Sequence, residues 1–159
     1  MRLRKMLAAT LTACLLTTLI PVMSVSADTN DVSIPINEET FPDPAFRQWV
    51  LDKVDIFHDK TITKSDIEYA RSFKCINKGI ESIEGIENFK YLTYLDISGN
   101  DISYINPEWI KGLETLTCDD NKITSLDVSS LENLRYLSCA NNEMTSLDAP
   151  VAIKYLNVG

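Results

Sequence analysis

Leu92-Thr-Tyr-Leu95-Asp-Ile97-Ser-Gly-Asn100-Asp-Ile102 decides the fold of this chain, because its pattern is written twice more. Leu113-Glu-Thr-Leu116-Thr-Cys118-Asp-Asp-Asn121-Lys-Ile123 and Leu134-Arg-Tyr-Leu137-Ser-Cys139-Ala-Asn-Asn142-Glu-Met144 keep the same order of apolar and asparagine positions. The asparagines stand at 100, 121 and 142, two equal steps of 21. A fixed period in this range describes a solenoid, in which each repeat is one small unit and stacking buries a continuous core. Strand residues alternate faces, so Leu95 and Ile97 point in while Tyr94, Asp96 and Ser98 point out. A stack of this kind presents a surface and rarely encloses a catalytic pocket.

The pattern fades at both ends. Ala70-x-x-Phe73-x-Cys75 followed by Ile80 fits it weakly, with Lys78 at the asparagine position. Atypical terminal repeats are normal in such arrays. Ile80, Ile83, Ile86 and Phe89 fill the side opposite the sheet, then Ile105, Trp109 and Ile110, then Leu126, Val128 and Leu131. The short spacing leaves room there for turns or a 3₁₀ segment, not a full helix. Ile153-x-x-Leu156-x-Val158 closes the chain one residue before Gly159. Leu156 and Val158 are expected on an uncovered face beside a bare strand edge. A truncated gene product is one reading of that ending. Self-association through the uncapped C-terminal edge is the other.

Upstream of the repeats, Phe41-Pro-Asp43-Pro44-Ala-Phe46-Arg-Gln-Trp49-Val50 predicts a helix over about 44–53. Asp43 suits the N-cap and Pro44 the first helical position. Phe46, Trp49 and Val50 make one apolar stripe. A second helix begins at Thr63, with Asp66 as a carboxylate capping box. The chain divides into a leader at 1–27, a flexible lead at 28–40, a helical N-terminal cap at 41–69 and repeats at 70–159, the last incomplete.

The leader reads as a signal peptide. Arg2, Arg4 and Lys5 precede an uncharged, mostly apolar run from Met6 to Ile20, and Val25-Ser26-Ala27 supplies small residues for cleavage. Two other readings compete: an uncleaved membrane anchor, and a lipobox at Leu11-Thr12-Ala13-Cys14. Against the second, the apolar run continues past Cys14. Beyond position 27 lie all 23 acidic residues and 12 of the 15 basic ones, a formal charge of 12 − 23 = −11. That field disfavours nucleic acid and anionic membrane surfaces as partners. After signal cleavage no membrane insertion is expected. Cys75, Cys118 and Cys139 remain, and the last two occupy the inward position that Ile97 holds in its own repeat. Free, buried thiols are expected there.

Signals for chemistry are absent. The single histidine, His58, has no nucleophile beside it in sequence, and no phosphate loop, CxxC or HExxH occurs. Asp119-Asp120 are adjacent, so on a strand they face opposite ways and read as a solvated turn. Asn100, Asn121 and Asn142 are expected to satisfy turn backbone as a ladder, not to bind glycan. The chain is therefore not expected to be an enzyme, and neither a cofactor nor a metal is expected.

Residues 36–159 resemble the leucine-rich-repeat proteins secreted by low-GC Gram-positive bacteria, the internalin-like group. The resemblance rests on the three repeated segments, on Ile123-Thr-Ser-Leu126-Asp-Val128 and Met144-Thr-Ser-Leu147-Asp-Ala149, and on Ile36-Asn-Glu-Glu-Thr-Phe41-Pro-Asp. It implies an α/β solenoid: a short horseshoe with a parallel sheet on its concave face and a small helical N-terminal cap. It also implies adhesion or partner binding, secreted or at the cell surface. The cap of such proteins often holds a calcium loop. Here Asp55, Asp59 and Asp66 fall at its first, fifth and twelfth positions, but Phe57 and Lys60 occupy the third and sixth, where an oxygen ligand and Gly are required. The loop is expected to keep its shape through packing of Phe57 and Ile62 instead.

Binding belongs on the concave sheet. Its outward residues are Tyr94 and Asp96, then Thr115, Thr117 and Asp119, then Tyr136 and Ser138, then Tyr155 and Asn157. Tyrosines beside small polar residues make a strip suited to a protein or glycan ligand, although tyrosine is also simply a good strand residue. The alternatives to an interaction module are the recognition part of a larger exported enzyme, and a truncated product without function.

Overall fold

The computed structural model describes residues 32–159. The leader at 1–27 and the first four residues of the lead lie outside the described residues. Strand β1 (Ser33–Pro35) pairs antiparallel with β2 (Thr61–Thr63), placing Ile34 against Ile62. The lead is thus not flexible throughout, as the sequence reading had it. Ile34 and Ile36 supply a short period-two signal, and Ile36 is buried against the core. A turn then follows, in which Asn37 Oδ1 accepts from the Glu39 and Thr40 amides at 3.0 Å each.

Helix α1 (Pro44–Lys53) is capped by Asp43, whose Oδ1 accepts from Phe46 N–H at 2.7 Å. Helix α2 (Lys64–Tyr69) starts on a full capping box. Thr63 N–H donates to Asp66 Oδ2 at 2.8 Å, and Asp66 N–H returns to Thr63 Oγ1 at 3.3 Å. Each cap satisfies amides that the first helical turn leaves without partners.

Seven short strands follow: β3 (Ser72–Lys74), β4 (Tyr94–Asp96), β5 (Thr115–Thr117), β6 (Ser125–Asp127), β7 (Tyr136–Ser138), β8 (Ser146–Asp148) and β9 (Tyr155–Asn157). Five of them form one parallel sheet in the order β3-β4-β5-β7-β9, one strand per repeat. The segments between them include 3₁₀ turns at Ile86–Asn88 and Pro107–Ile110, as the spacing predicts. They also include β6 and β8, which pair in parallel as a separate two-stranded sheet. That sheet was not expected. It forms because the phrases around Leu126 and Leu147 fall in register, and it extends to Val128 N–H donating to Asp148 O at 2.7 Å.

One hydrophobic core runs from the cap through the repeats. Trp49 of α1 lies over Phe73 of the first repeat with ring centroids 4.7 Å apart, and Phe73 meets Phe89 edge-on at 4.8 Å. Asp43 ties the same junction from its other oxygen. Its Oδ2 accepts from the Glu81 and Ser82 amides at 2.8 and 3.1 Å. One buried carboxylate therefore caps α1 and holds the first turn of the repeats, sealing the layer that a bare stack would expose.

Candidate binding surface

In-register pairing converts repeat positions into columns. Tyr94, Thr115, Tyr136 and Tyr155 are successive partners across the sheet, and so are Asp96, Thr117, Ser138 and Asn157. At the cap end these columns begin with Ser72 and Lys74. Leu95, Leu116 and Leu137 point the other way and are wholly buried.

From Tyr94 to Tyr155 the first column is aromatic at both ends. The Tyr136 and Tyr155 rings stack with centroids 4.3 Å apart and planes 5° from parallel. Tyr94 stands two strands away, beyond Thr115, with the Lys74 ammonium 5.6 Å from its ring centroid. Burial, then the Asp96 carboxylate, raises the Tyr94 hydroxyl above its ordinary pKa. Burial, Tyr155, Asp119 and Tyr94 raise that of Tyr136. Both phenols therefore remain protonated, hydrogen-bond donors at neutral pH.

The second column is partly closed. Ser138 Oγ reaches both Asp119 oxygens at 2.8 Å and accepts from Asn157 Nδ2 at 3.0 Å. Asp119 Oδ1 also accepts from Ala140 N–H at 2.7 Å. Ser138 is 2% exposed, so this expected contact residue points toward the concave face without reaching its surface. Asp96 is occupied locally, accepting from Ser98 N–H and Oγ at 3.1 and 2.7 Å. The accessible strip is thus Tyr94, Thr115, Tyr136 and Tyr155, with Asp96 and Thr117 alongside. Asp120 sits in the following turn at φ 54 and is exposed, away from any pairing with Asp119.

Beneath this face, Cys75, Cys118 and Cys139 are free and buried. Burial, reinforced by nearby Asp119, raises the Cys139 thiol to about 11. Burial likewise pushes Cys118 well up, with Cys139 and Asp119 adding to it. Thiol titration at neutral pH without reductant should find none of the three reactive in the native protein and all of them after denaturation. A Cys118–Cys139 disulfide peptide would overturn the register. The sign of the linkage follows from raised values. Stability from the protonated Cys139 thiol is whole below the ordinary value of 9.0 and is lost as pH rises through about 11.

The cap loop differs from expectation. Ile62 is fully buried, but Phe57 is 74% exposed and does not pack. Carboxylates shape the loop instead. Asp55 accepts from the Asp59 and Lys60 amides at 3.2 and 2.9 Å. Asp59 accepts from Thr61 N–H and Oγ1 at 2.9 and 2.6 Å. Lys60 adopts φ 63 at the position where a calcium loop has Gly, so the backbone bend survives without that residue. Among the described residues no three His, Cys, Asp or Glu side chains are grouped to hold a metal ion.

The profile for leucine-rich repeats in two copies matches residues 111–156, and that for a single leucine-rich repeat matches 91–113. No curated protein matches the chain. Among solved structures, the functional domain of InlJ from Listeria monocytogenes, described as including a cysteine ladder, is 32% identical with a TM-score of 0.72. The alignment covers 80% of this chain and 29% of that one. An internalin, InlF, from the same species is 26% identical with a TM-score of 0.57, over 79% of this chain and 45% of its own. The chain thus spans less than half the length of either. With strand-per-repeat geometry, repeat profiles and these neighbours in agreement, the chain is a leucine-rich-repeat protein, a parallel solenoid with a helix-containing N-terminal region and Listeria internalins among its structural neighbours.

Proposed function

We propose that this protein is a secreted or cell-surface interaction module that binds a protein or glycan through the concave face of its solenoid, without catalysis. The observation that carries the reading is the register that places Tyr94, Tyr136 and Tyr155 in one column, two of them stacked. Stacked tyrosines offer a large amphipathic area at low entropic cost, and their hydroxyls donate to carbonyl or sugar oxygens. Adjacent strands lie about 4.8 Å apart, so Tyr94 to Tyr136 spans roughly 10 Å. That span fits a peptide or short glycan laid across the strands. A leader with the features of a signal peptide supports export, and the net negative charge argues against nucleic acid as partner.

The test is a screen of extracellular proteins and glycans, repeated with the Tyr94→Ser, Tyr136→Ser double variant. Binding should be lost while the melting temperature stays within a few degrees, and EDTA should change neither. Binding that survives the double variant moves the site off the strip. An EDTA-induced loss of stability would assign metal to the Asp55 to Asp66 loop.

A further inference from the structure

The first strand of the main sheet has a free edge with a slot beside it. Toward β4, Tyr94 N–H donates to Arg71 O at 3.1 Å and Cys75 N–H donates to Asp96 O at 2.8 Å. Alternation turns the N–H and C=O groups of Ser72 and Lys74 the other way. β3 pairs only with β4, and among the described residues no hydrogen bond reaches those four groups. Along that edge runs a cavity of about 420 Å³, lined by Ser72, Phe73 and Lys74 in sequence. Its facing wall is apolar, with Trp49, Val54, Ile56 and Tyr69. Ile56 is 63% and Tyr69 79% exposed, high for side chains of this size.

We propose that this slot captures an extended, acidic–apolar polypeptide segment of a partner by strand addition to β3. Backbone of the segment would pair with the idle groups of Ser72 and Lys74, and three residues of β3 offer about 10 Å of edge. Alternate side chains of an added strand face opposite ways, so one set meets the apolar wall. The other set is acidic by charge complementarity. Lys53 and Lys74 both line the slot, and among the described residues neither lies within 4.0 Å of a carboxylate. Both are positive on a chain whose formal charge is −8, Lys74 with its ammonium 5.6 Å from the Tyr94 ring centroid. Asp66 also lines the slot; Thr63 engages its Oδ2, while its Oδ1 is buried with no hydrogen-bond partner among the described residues. This site is separate from the tyrosine strip, though Ser72 and Lys74 begin the same two columns.

The probe is an acetylated, amidated hexapeptide, Glu-Val-Glu-Tyr-Glu-Val, compared with its Lys-for-Glu counterpart and with two versions N-methylated on alternate amides. The acidic peptide should bind and slow hydrogen exchange at the Ser72 and Lys74 amides. One N-methylated version should lose at least about tenfold in affinity and the other should keep it, since only one set of amides faces β3. Lys53→Glu with Lys74→Glu should reverse the preference toward the lysine peptide, whereas Tyr136→Ser with Tyr155→Ser, remote from Lys74, should leave it unchanged. Equal binding of both N-methylated versions, no binding of the acidic peptide, or no protection at Ser72 and Lys74 overturns the proposal. Protection of those amides without peptide, together with a mass that grows with concentration, would also overturn it by assigning the edge to a second copy of this chain.

Discussion

Leu116→Ala is expected to lower the free energy of unfolding by about 2–5 kcal/mol, the range for emptying a buried leucine site. Leu116 lies on β5 between regular repeats, is fully buried, and has Leu95 and Leu137 as register partners on either side. Both register partners are themselves held in strands, so the cavity has little freedom to collapse from those sides. Thr117→Ala, one residue on, faces outward and should change stability by less than about 0.5 kcal/mol. Leu156→Ala makes a sharper comparison, because β9 carries the same repeat position at the far end. Leu156 is 45% exposed, so its truncation removes little buried area and should cost well under half as much. Urea unfolding of the three variants, read as midpoint shifts at constant slope, checks the order. Similar losses at Leu116 and Thr117 would mean that the faces of β5 are assigned wrongly.

Much of this fold was legible because the same spacing rules act three times. A single Leu-x-x-Leu-x-Ile run is ambiguous between strand and buried helix, but recurrence at 21 fixes register and inward face together, and the family resemblance adds the parallel sheet. The cap helices were legible for a local reason: Asp43-Pro44 and Thr63 with Asp66 act within one turn of chain. Contacts that join distant segments were not. The second oxygen of Asp43 binds amides at 81 and 82, and nothing in its neighbourhood of sequence marks that role. Phe57 misled because a large aromatic in a loop reads as an anchor, whereas the Asp55 carboxylate already satisfies the loop backbone and leaves the ring nothing to bury. On the candidate face, alternation placed Tyr94, Tyr136 and Tyr155 in one column. The closing of Ser138 by Asp119 and Asn157 depends on side chains of three different repeats, which alternation alone does not report.

Asn121→Ala is the second large effect, and it tests whether the repeat asparagine serves backbone or ligand. Its amide nitrogen donates to the carbonyls of Ile97, Cys118 and Asp119 at 3.0, 3.1 and 3.0 Å, while its oxygen accepts from Ile102 N–H at 3.1 Å. One side chain thereby joins the turns of two successive repeats. Alanine would leave several buried backbone groups without partners, at about 1–3 kcal/mol for each that water cannot reach. Asn100 repeats the arrangement one turn earlier, donating to Cys75 and Ile97 carbonyls and accepting from Lys78 and Ile80 amides. Asn142 repeats it one turn later, donating to Cys118 and Cys139 carbonyls and accepting from Ile123 N–H. Asn142 is only half-buried, so water can replace part of what its amide supplies. The expected order of destabilisation is therefore Asn100→Ala close to Asn121→Ala, and both clearly above Asn142→Ala. Asn121→Asp should be at least as costly as Asn121→Ala, because it trades a donor for a carboxylate aimed at carbonyl oxygens. Equal, small losses at all three positions in chemical denaturation would contradict the ladder and reopen these asparagines as ligand contacts.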